Sequence, residues 1–341
     1  MGKKQENKIV AMLGGTQRVI VVGALVLLIA FFAIFSDGHS FTTWSNVLNV
    51  FNSSYYIGFM AIGVTFVIIT GGIELSIGTS LMMIGLIGGK LVSMNVPMIA
   101  VLLVMLLVGL LVGLINGTMV SRLGLPAFIA TLGMMMVTRG MGSIVTKVQT
   151  MTMPQETSPG GWFRKAFTLK FAGSGAEILE KGLPIGFVLL IALAVVMSVI
   201  LNKTRPGRYI IAIGSNKEAT RLSGVNVKLY ETLAYIICGL FTAIAAIAYG
   251  AAFSQFTPST GNGFEMDAIA GAVIGGTSLA GGVGSIGGTI LGVYIMAVLK
   301  TGLPTIVING QQVQSHWQLL ITGIVLVIAV LADVANRKKN G

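Results

Sequence analysis

Apolar runs of about twenty residues recur along the whole chain, and they set the first reading. They fall at roughly 19–35, 51–71, 75–93, 98–120, 126–146, 184–202, 232–252, 265–281, 286–306 and 316–334. Each is near the length that carries an α-helix across a hydrocarbon core of about 30 Å. Within the runs the apolar residues are continuous rather than alternating, which is the pattern of spanning helices and not of barrel strands. In lipid only those two structures satisfy every backbone polar group. The chain therefore reads as all-α, a polytopic membrane protein of about ten transmembrane helices forming a single domain, 1–341. Two runs, 126–146 and 265–281, hold enough glycine or polar residues to be broken or re-entrant. The bilayer tolerates that only where protein shields the backbone.

Two polar segments are longer than ordinary connections. One, about 147–183, contains MPQETSPGGWFRK, with the Pro and Gly of an irregular cap. The other, Asn202–Glu231, contains GSNKEATRLSGVNVKLYE. Charge then orients the chain. Lys3, Lys4, Lys8 and Arg18, then Arg122, then Lys203, Arg205, Arg208, Lys217, Arg221 and Lys228, and finally Arg337, Lys338 and Lys339 fall on one side if the spans alternate. Basic residues mark the cytoplasmic side, so both termini and Asn202–Glu231 are expected inside, with 147–183 outside. The basic residues of 147–183 are a weak objection, because long translocated segments follow the rule poorly.

Composition agrees. The 341 residues are 54% hydrophobic and only 10% charged, with 46 glycines, and the mean hydropathy is +0.89. The net charge of +11 is explained by residues flanking spans rather than by nucleic-acid binding, for which a basic domain with interleaved aromatics is missing. Val19–Phe35 is longer than a signal-peptide core and lacks a convincing cleavage site, so it reads as an uncleaved first span. Cys238 is the single cysteine; it excludes an intrachain disulfide and a CxxC metal pair.

Catalytic chemistry is not visible. Gly282, Gly284 and Gly287 match GxGxxG, but the acid expected about twenty residues on is missing. Gly88-Gly89-Lys90 continues into Leu91, so no phosphate-binding loop follows. His39 and His316 have no metal-ligand spacing. No catalytic residues, no metal and no cofactor are expected in this chain. Charges within the apolar runs point to function in transporters, and they are few: Arg139, with Glu74, Glu265 and Asp267 at run ends. Glu265 and Asp267 open a helical run, where carboxylates complement the dipole. Glycines recur every four residues at Gly109, Gly113 and Gly117, and again at Gly284, Gly288 and Gly292. Such ladders let helices approach closely, inside one bundle or at a dimer seam. Asn52, Ser53, Asn116, Thr131 and Thr138 are neutral polar groups on apolar segments. They are candidates for lining a path for an uncharged polyol, or for tying helices together.

Within Asn202–Glu231, Gly214–Glu231 stands out as a polar island. Gly214, Ser215 and Asn216 can break and cap, Lys217–Leu222 suits one to two helical turns, and Gly224 is a stop. This is a solvated loop, or a short rigid helix offered to a partner's groove. Thr204–Glu231 resembles the cytoplasmic coupling segment in the membrane subunits of ribose-type ATP-binding-cassette (ABC) sugar importers, within the branched-chain amino acid/ribose permease superfamily. ITGGIELSIG (Ile69–Gly78), LPAFIATLGMM (Leu125–Met135) and Glu265–Gly292 also resemble that family, in its order and over almost the whole chain.

The resemblance implies a transmembrane permease of the bacterial inner membrane, about ten spans, and a second permease copy or a close paralogue as partner. It implies cytoplasmic ATPase subunits that bind ATP and Mg, and an extracytoplasmic sugar-binding protein. It assigns ATPase coupling to Gly214, Ser215, Asn216, Glu218, Ala219, Arg221, Leu222, Ser223 and Gly224, with Glu218 and Arg221 as the polar contacts. The cargo implied is a pentose, hexose or related polyol. Alternatives are a nucleoside, a furanosyl signal or a branched-chain amino acid in the same class, or a self-sufficient secondary transporter. Segment 147–183 matches no strong motif of the family, which leaves the binding protein and the substrate open.

Overall fold

A computed structural model describes residues 16–170, 176–308, 310–313 and 315–340. Lys3, Lys4 and Lys8, used in the charge argument, lie outside the described residues, as do 171–175 of the outer polar segment. The helices are α1 (Thr16–Phe35), α2 (Trp44–Ile69), α3 (Ile77–Ser93), α4 (Met98–Ser121), α5 (Ala127–Thr146), the short α6 (Glu177–Lys181) and α7 (Gly186–Lys203). They continue as α8 (Arg205–Ser215), α9 (Lys217–Leu222), α10 (Val227–Phe253), α11 (Phe264–Ile274), α12 (Ile286–Gly302) and α13 (Ser315–Asn340). Two small antiparallel pairs complete the chain: β1 (Met151–Thr152) with β2 (Gln255–Phe256), and β3 (Val307–Ile308) with β4 (Gln311–Gln312).

Among the described residues, six helical stretches are long and apolar enough to cross a bilayer: α2, α4, α5, α7, α10 and Ile286–Thr305. Shorter apolar stretches lie at Val19–Phe35, Ile77–Ser93 and Leu319–Ile328. Two of the ten apolar runs form helices too short to cross a bilayer. α11 has 11 residues, a rise of about 16 Å. α3 has 17 residues, a rise of about 25 Å. Both fall short of a hydrocarbon core.

The two runs expected to be broken behave differently. At 265–281 the helix stops at Ile274 and turns through Gly276, Gly281 and Gly282, which adopt φ of 95°, 87° and 75°. An L-residue rarely adopts that backbone. At 126–146 the break does not occur: α5 is one continuous helix of 20 residues. Its Gly142 serves packing instead, since a Cβ there would meet Met83 Cα at 3.1 Å.

α2 is the centre of the bundle, with 94% of its apolar window buried. It packs on α10, α12, α11 and α7. The Gly109, Gly113 and Gly117 ladder of α4 faces α10, not lipid. A Cβ on Gly109 would overlap Gly239 O, one on Gly113 would overlap Tyr235 O, and one on Gly117 would meet Thr232 Cα at 2.9 Å. The second ladder seats α12 on α11: Gly288 faces Gly275 and Gly292 faces Gly271, while Gly284 lies before the helix and meets Ile69.

These contacts give the bundle two ends. Residues 147–170 and 176–185 cap one, where β1 pairs with β2 and Trp44 Nε1 donates to Gly182 O at 3.2 Å. Arg164 holds this cap by donating to Pro154 O at 2.7 Å, Ala251 O at 3.2 Å and Ser254 Oγ at 2.6 Å. Losing those three bonds is expected to loosen the cap alone. Arg164→Leu should speed amide exchange across residues 151–168 at least about tenfold, equivalent to 1.4 kcal/mol of local opening, while α4 and α10 stay protected. Exchange spread evenly over all helices would instead make Arg164 a global support. The opposite end carries α8 and α9 and is called the basic end below.

Candidate functional site

The basic end is built from local signals. Thr204 caps α8, its hydroxyl accepting from Gly207 N at 3.4 Å, and Pro206 fits the first turn. Gly207, Ile210 and Ile213 form the buried stripe of α8. Of Gly214, Ser215 and Asn216, expected to break and cap, it is Asn216 that does both: α8 runs through Ser215 and Asn216 is extended (φ −159°, ψ 101°). The Asn216 Oδ1 then accepts from Ala219 N at 2.9 Å and caps α9. α9 ends as the sequence suggests. Ser223 Oγ donates to Ala219 O at 2.9 Å, and Gly224 takes φ 81°.

Gly214 has a different task. A Cβ there would overlap Ile69 O and Gly282 N, and Gly282 N donates to Ile69 O at 2.8 Å. Three backbones meet at this point: the end of α8, the end of α2 and the turn after α11. Ser215 stays exposed, its hydroxyl donating to Ile211 O at 3.1 Å.

α9 presents itself to solvent. Of its residues only Thr220 is buried. Glu218 and Arg221 form an ion pair one turn apart on the exposed face. The Arg221 guanidinium holds the Glu218 carboxyl below its usual range. The pair is therefore intact at neutral pH and breaks only as acid protonates Glu218. Beside it Leu222 is 75% exposed. A rigid, capped helix with an exposed leucine and an ion pair is an anchor-like surface for a partner groove.

The five polar candidates are not gathered into one cavity. Asn52, half-buried near the capped end, borders a cavity of about 160 Å³ with Glu156, Arg164, Thr168, Lys170 and Lys181. Ser53 is buried beside it on α2. The other three sit between α3, α4 and α5. Asn116 Nδ2 donates to Glu74 Oε2 at 2.7 Å and to Ser76 Oγ at 3.0 Å. Thr131 Oγ1 lies 3.2 Å from Ile73 O and 2.9 Å from Ala127 O. Thr138 and Thr79 hydroxyls lie 2.7 Å apart. Asn116 borders only a void of about 10 Å³, room for about one water.

Sequence reasoning missed a second polar centre. α3 and α11 both begin inside the bundle: Phe264 packs its ring on Tyr56, halfway along α2, at 4.7 Å, and a Cβ on Gly78 would overlap Glu265 Oε2. At that level Lys300 Nζ pairs with Asp267 Oδ2 at 2.8 Å and stands 4.4 Å from the Phe264 ring centroid. Arg139 Nη2 donates to Asn262 Oδ1. A cavity of about 400 Å³ opens there, lined in part by Asn262, Phe264, Asp267, Lys300 and Thr322. That is the size of a small-molecule site, at helices that start within the bundle as they do in transporters. The available signal was Lys300, the single charge in 286–306. Among the described residues no three His, Cys, Asp or Glu side chains converge in a metal-holding group.

An apolar helical bundle with interrupted helices, a buried polar centre and a capped helix at one end defines a multi-pass membrane transport component. The comparisons sharpen that. Residues 46–330 match the family described as branched-chain amino acid transport system / permease component, and the chain belongs to it. The ribose import permease protein of Escherichia coli K12 is 37% identical over 316 residues, 93% of this chain and 92% of that protein. The ribose import permease protein of Bacillus subtilis is 38% identical over 302 residues, 88% and 87% of the two chains. The xylose transport system permease protein of Escherichia coli K12 is 32% identical over 375 residues, 95% and 93%. No solved structure matches the chain.

Proposed function

We propose that this chain is the transmembrane subunit of an ATP-driven ABC importer of a monosaccharide, of the ribose and xylose class. The observation that carries the reading is full-length similarity to ribose and xylose permeases, joined to a capped, exposed helix between two spanning helices. The chain is a transport component; hydrolysis of ATP, with its Mg, belongs to ATPase subunits on the cytoplasmic side. α9 is their docking helix, with Glu218, Arg221 and Leu222 on the contact face and Gly214, Ser215, Asn216, Ala219, Ser223 and Gly224 shaping it. That places the basic end and both termini in the cytoplasm, and the Arg164-held cap toward a sugar-binding protein. A second permease copy completes the path. The cavity beside Asp267 and Lys300 is this chain's share of that path, and Asn52 borders its outer approach. An apolar cavity with one aromatic ring and a few fixed polar groups suits a sugar's mixed faces.

The test is uptake in proteoliposomes by the chain with its ATPase and binding protein, offered radiolabelled ribose and xylose. Uptake is expected to require ATP and both partners. In Leu222→Asp the ATPase is expected to detach, with uptake falling about a hundredfold, the loss of an interface anchor worth roughly 2–3 kcal/mol. Sugar movement by the chain alone, driven by an ion gradient and indifferent to Leu222→Asp, overturns the reading.

A further inference from the structure

A docking helix works only if its displacement reaches the spanning helices, and the structure shows one side chain of α9 that crosses to them. Lys217 Nζ lies 2.6 Å from Glu231 Oε1 near the start of α10. Lys217 is exposed, while the Glu231 side chain is only 7% exposed. The second carboxylate oxygen, Oε2, is buried with no hydrogen-bond partner. A carboxylate so enclosed depends strongly on the cation beside it. The Glu218–Arg221 pair, by contrast, closes on α9 itself.

The surroundings explain why this contact matters. α8 is anchored independently of α9: Gly214 is seated against Ile69 and Gly282, and the Tyr209 ring stacks edge-on against Tyr230 of α10 at 4.9 Å. The extended Asn216 then separates α8 from α9. Beyond that break α9 is a separate rigid unit, seated by its buried Thr220 and by the side chains that reach out from it. α10 is the element best placed to receive its displacement. Its 27 residues rise about 40 Å, pass Gly239 against α4, and bring Tyr249 to 5.8 Å from the Phe264 ring at the start of α11. One rigid helix thus connects Glu231 to the polar centre around Asp267 and Lys300.

Resting on the docking reading above, we infer that Lys217–Glu231 is the tie that transmits displacement of α9 into α10. Lys217 and Glu231 are positioning residues: they touch neither ATP nor substrate, and they act on the bundle through α10.

The experiment uses the assembled complex in proteoliposomes and measures radiolabelled ribose or xylose uptake and ATP hydrolysis together. In Lys217→Met and in Glu231→Gln, sugar moved per ATP hydrolysed is expected to fall about tenfold or more. Hydrolysis and the KM for external substrate should stay within about twofold, since neither residue contacts ATP or sugar. Lys217→Arg keeps the pair and should couple normally. The reversed pair, Lys217→Glu with Glu231→Lys, should recover coupling to within about threefold, which a merely structural role for either residue would not produce. Normal coupling in Lys217→Met overturns the tie. So does a reversed pair that assembles and stays uncoupled. Loss of ATPase co-purification in Lys217→Met also overturns it, by moving Lys217 into the docking contact. The docking reading fails separately: Glu218→Ala with Arg221→Ala, or Leu222→Asp, would then keep full ATPase binding.

Discussion

Gly113→Val is expected to force α4 and α10 apart and to destabilise the folded protein in detergent. A Cβ on Gly113 would overlap Tyr235 O and meet Ile236 Cα at 3.0 Å. Those are backbone atoms in the interior of a 27-residue helix, not the tips of flexible side chains. Relief therefore requires the two helices to separate as bodies. The same surface carries Gly109 against Gly239 O and Gly117 against Thr232 Cα, so separating at one rung opens all three. Overpacking of a closed contact costs about 3 kcal/mol or more. Close approach of small residues is also a main source of helix association in lipid. The midpoint of thermal unfolding in detergent should fall by roughly 10 °C. Gly23→Val is the control: a Cβ on Gly23 meets nothing within 4 Å, and its midpoint should move little. A Gly113→Val protein that melts with the wild type would mean that this seam is not closed in the folded protein.

The seam shows what the sequence made legible and what it concealed. Spacing of four between Gly109, Gly113 and Gly117 announces a close helix contact, because side chains four apart share one face. It does not announce Tyr235 and Thr232 as the other side, because that pairing joins residues more than a hundred positions apart. α9 was readable almost to the residue, since its signals are local: Asn216 as cap, KEATRL as helix, Gly224 as stop. Gly214 reads as a breaker by type, yet it stays helical, and its missing side chain makes room for Ile69 and Gly282 instead. Hydropathy hid the starts of α3 and α11 inside the bundle, because an apolar run has the same composition whether its helix begins at a surface or in the middle. The polar centre was concealed for a related reason. Asp267 looks like a dipole partner on its own helix, and its cation, Lys300, is a lone charge in another apolar run. Thr138 and Thr131 illustrate the limit for hydroxyls: they touch Thr79 and the Ile73 carbonyl, contacts that no spacing rule points to.

Asn116→Leu is expected to be about as damaging as the glycine substitution, through a lost buried hydrogen bond rather than volume. Glu74 is 2% exposed, on the non-helical segment between α2 and α3. Its Oε1 accepts from Ser76 N at 2.8 Å and from Ser76 Oγ at 2.6 Å. Its Oε2 accepts from Asn116 Nδ2 at 2.7 Å. Asn116 is thus the donor that fastens this segment to α4, beside the glycine seam that fastens α4 to α10. Leucine fills a similar volume but leaves Oε2 without that donor, and a buried carboxyl oxygen stripped of its partner costs roughly 1–3 kcal/mol. Asn116→Asp should be worse, because it sets a second buried carboxyl group against the first. The discriminating measurement is a cycle with Glu74→Leu, which removes the acceptor. If the Asn116 amide acts through the Glu74 carboxylate, the midpoint drops of the two single variants will not add in the double variant, and the coupling will reach about 1–3 kcal/mol. Additive drops would place the cost of Asn116→Leu in packing against the α10 face, where Cys238 and Gly239 border the same small void. The carboxylate would then be held by Ser76 alone, and the segment between α2 and α3 would be free of α4.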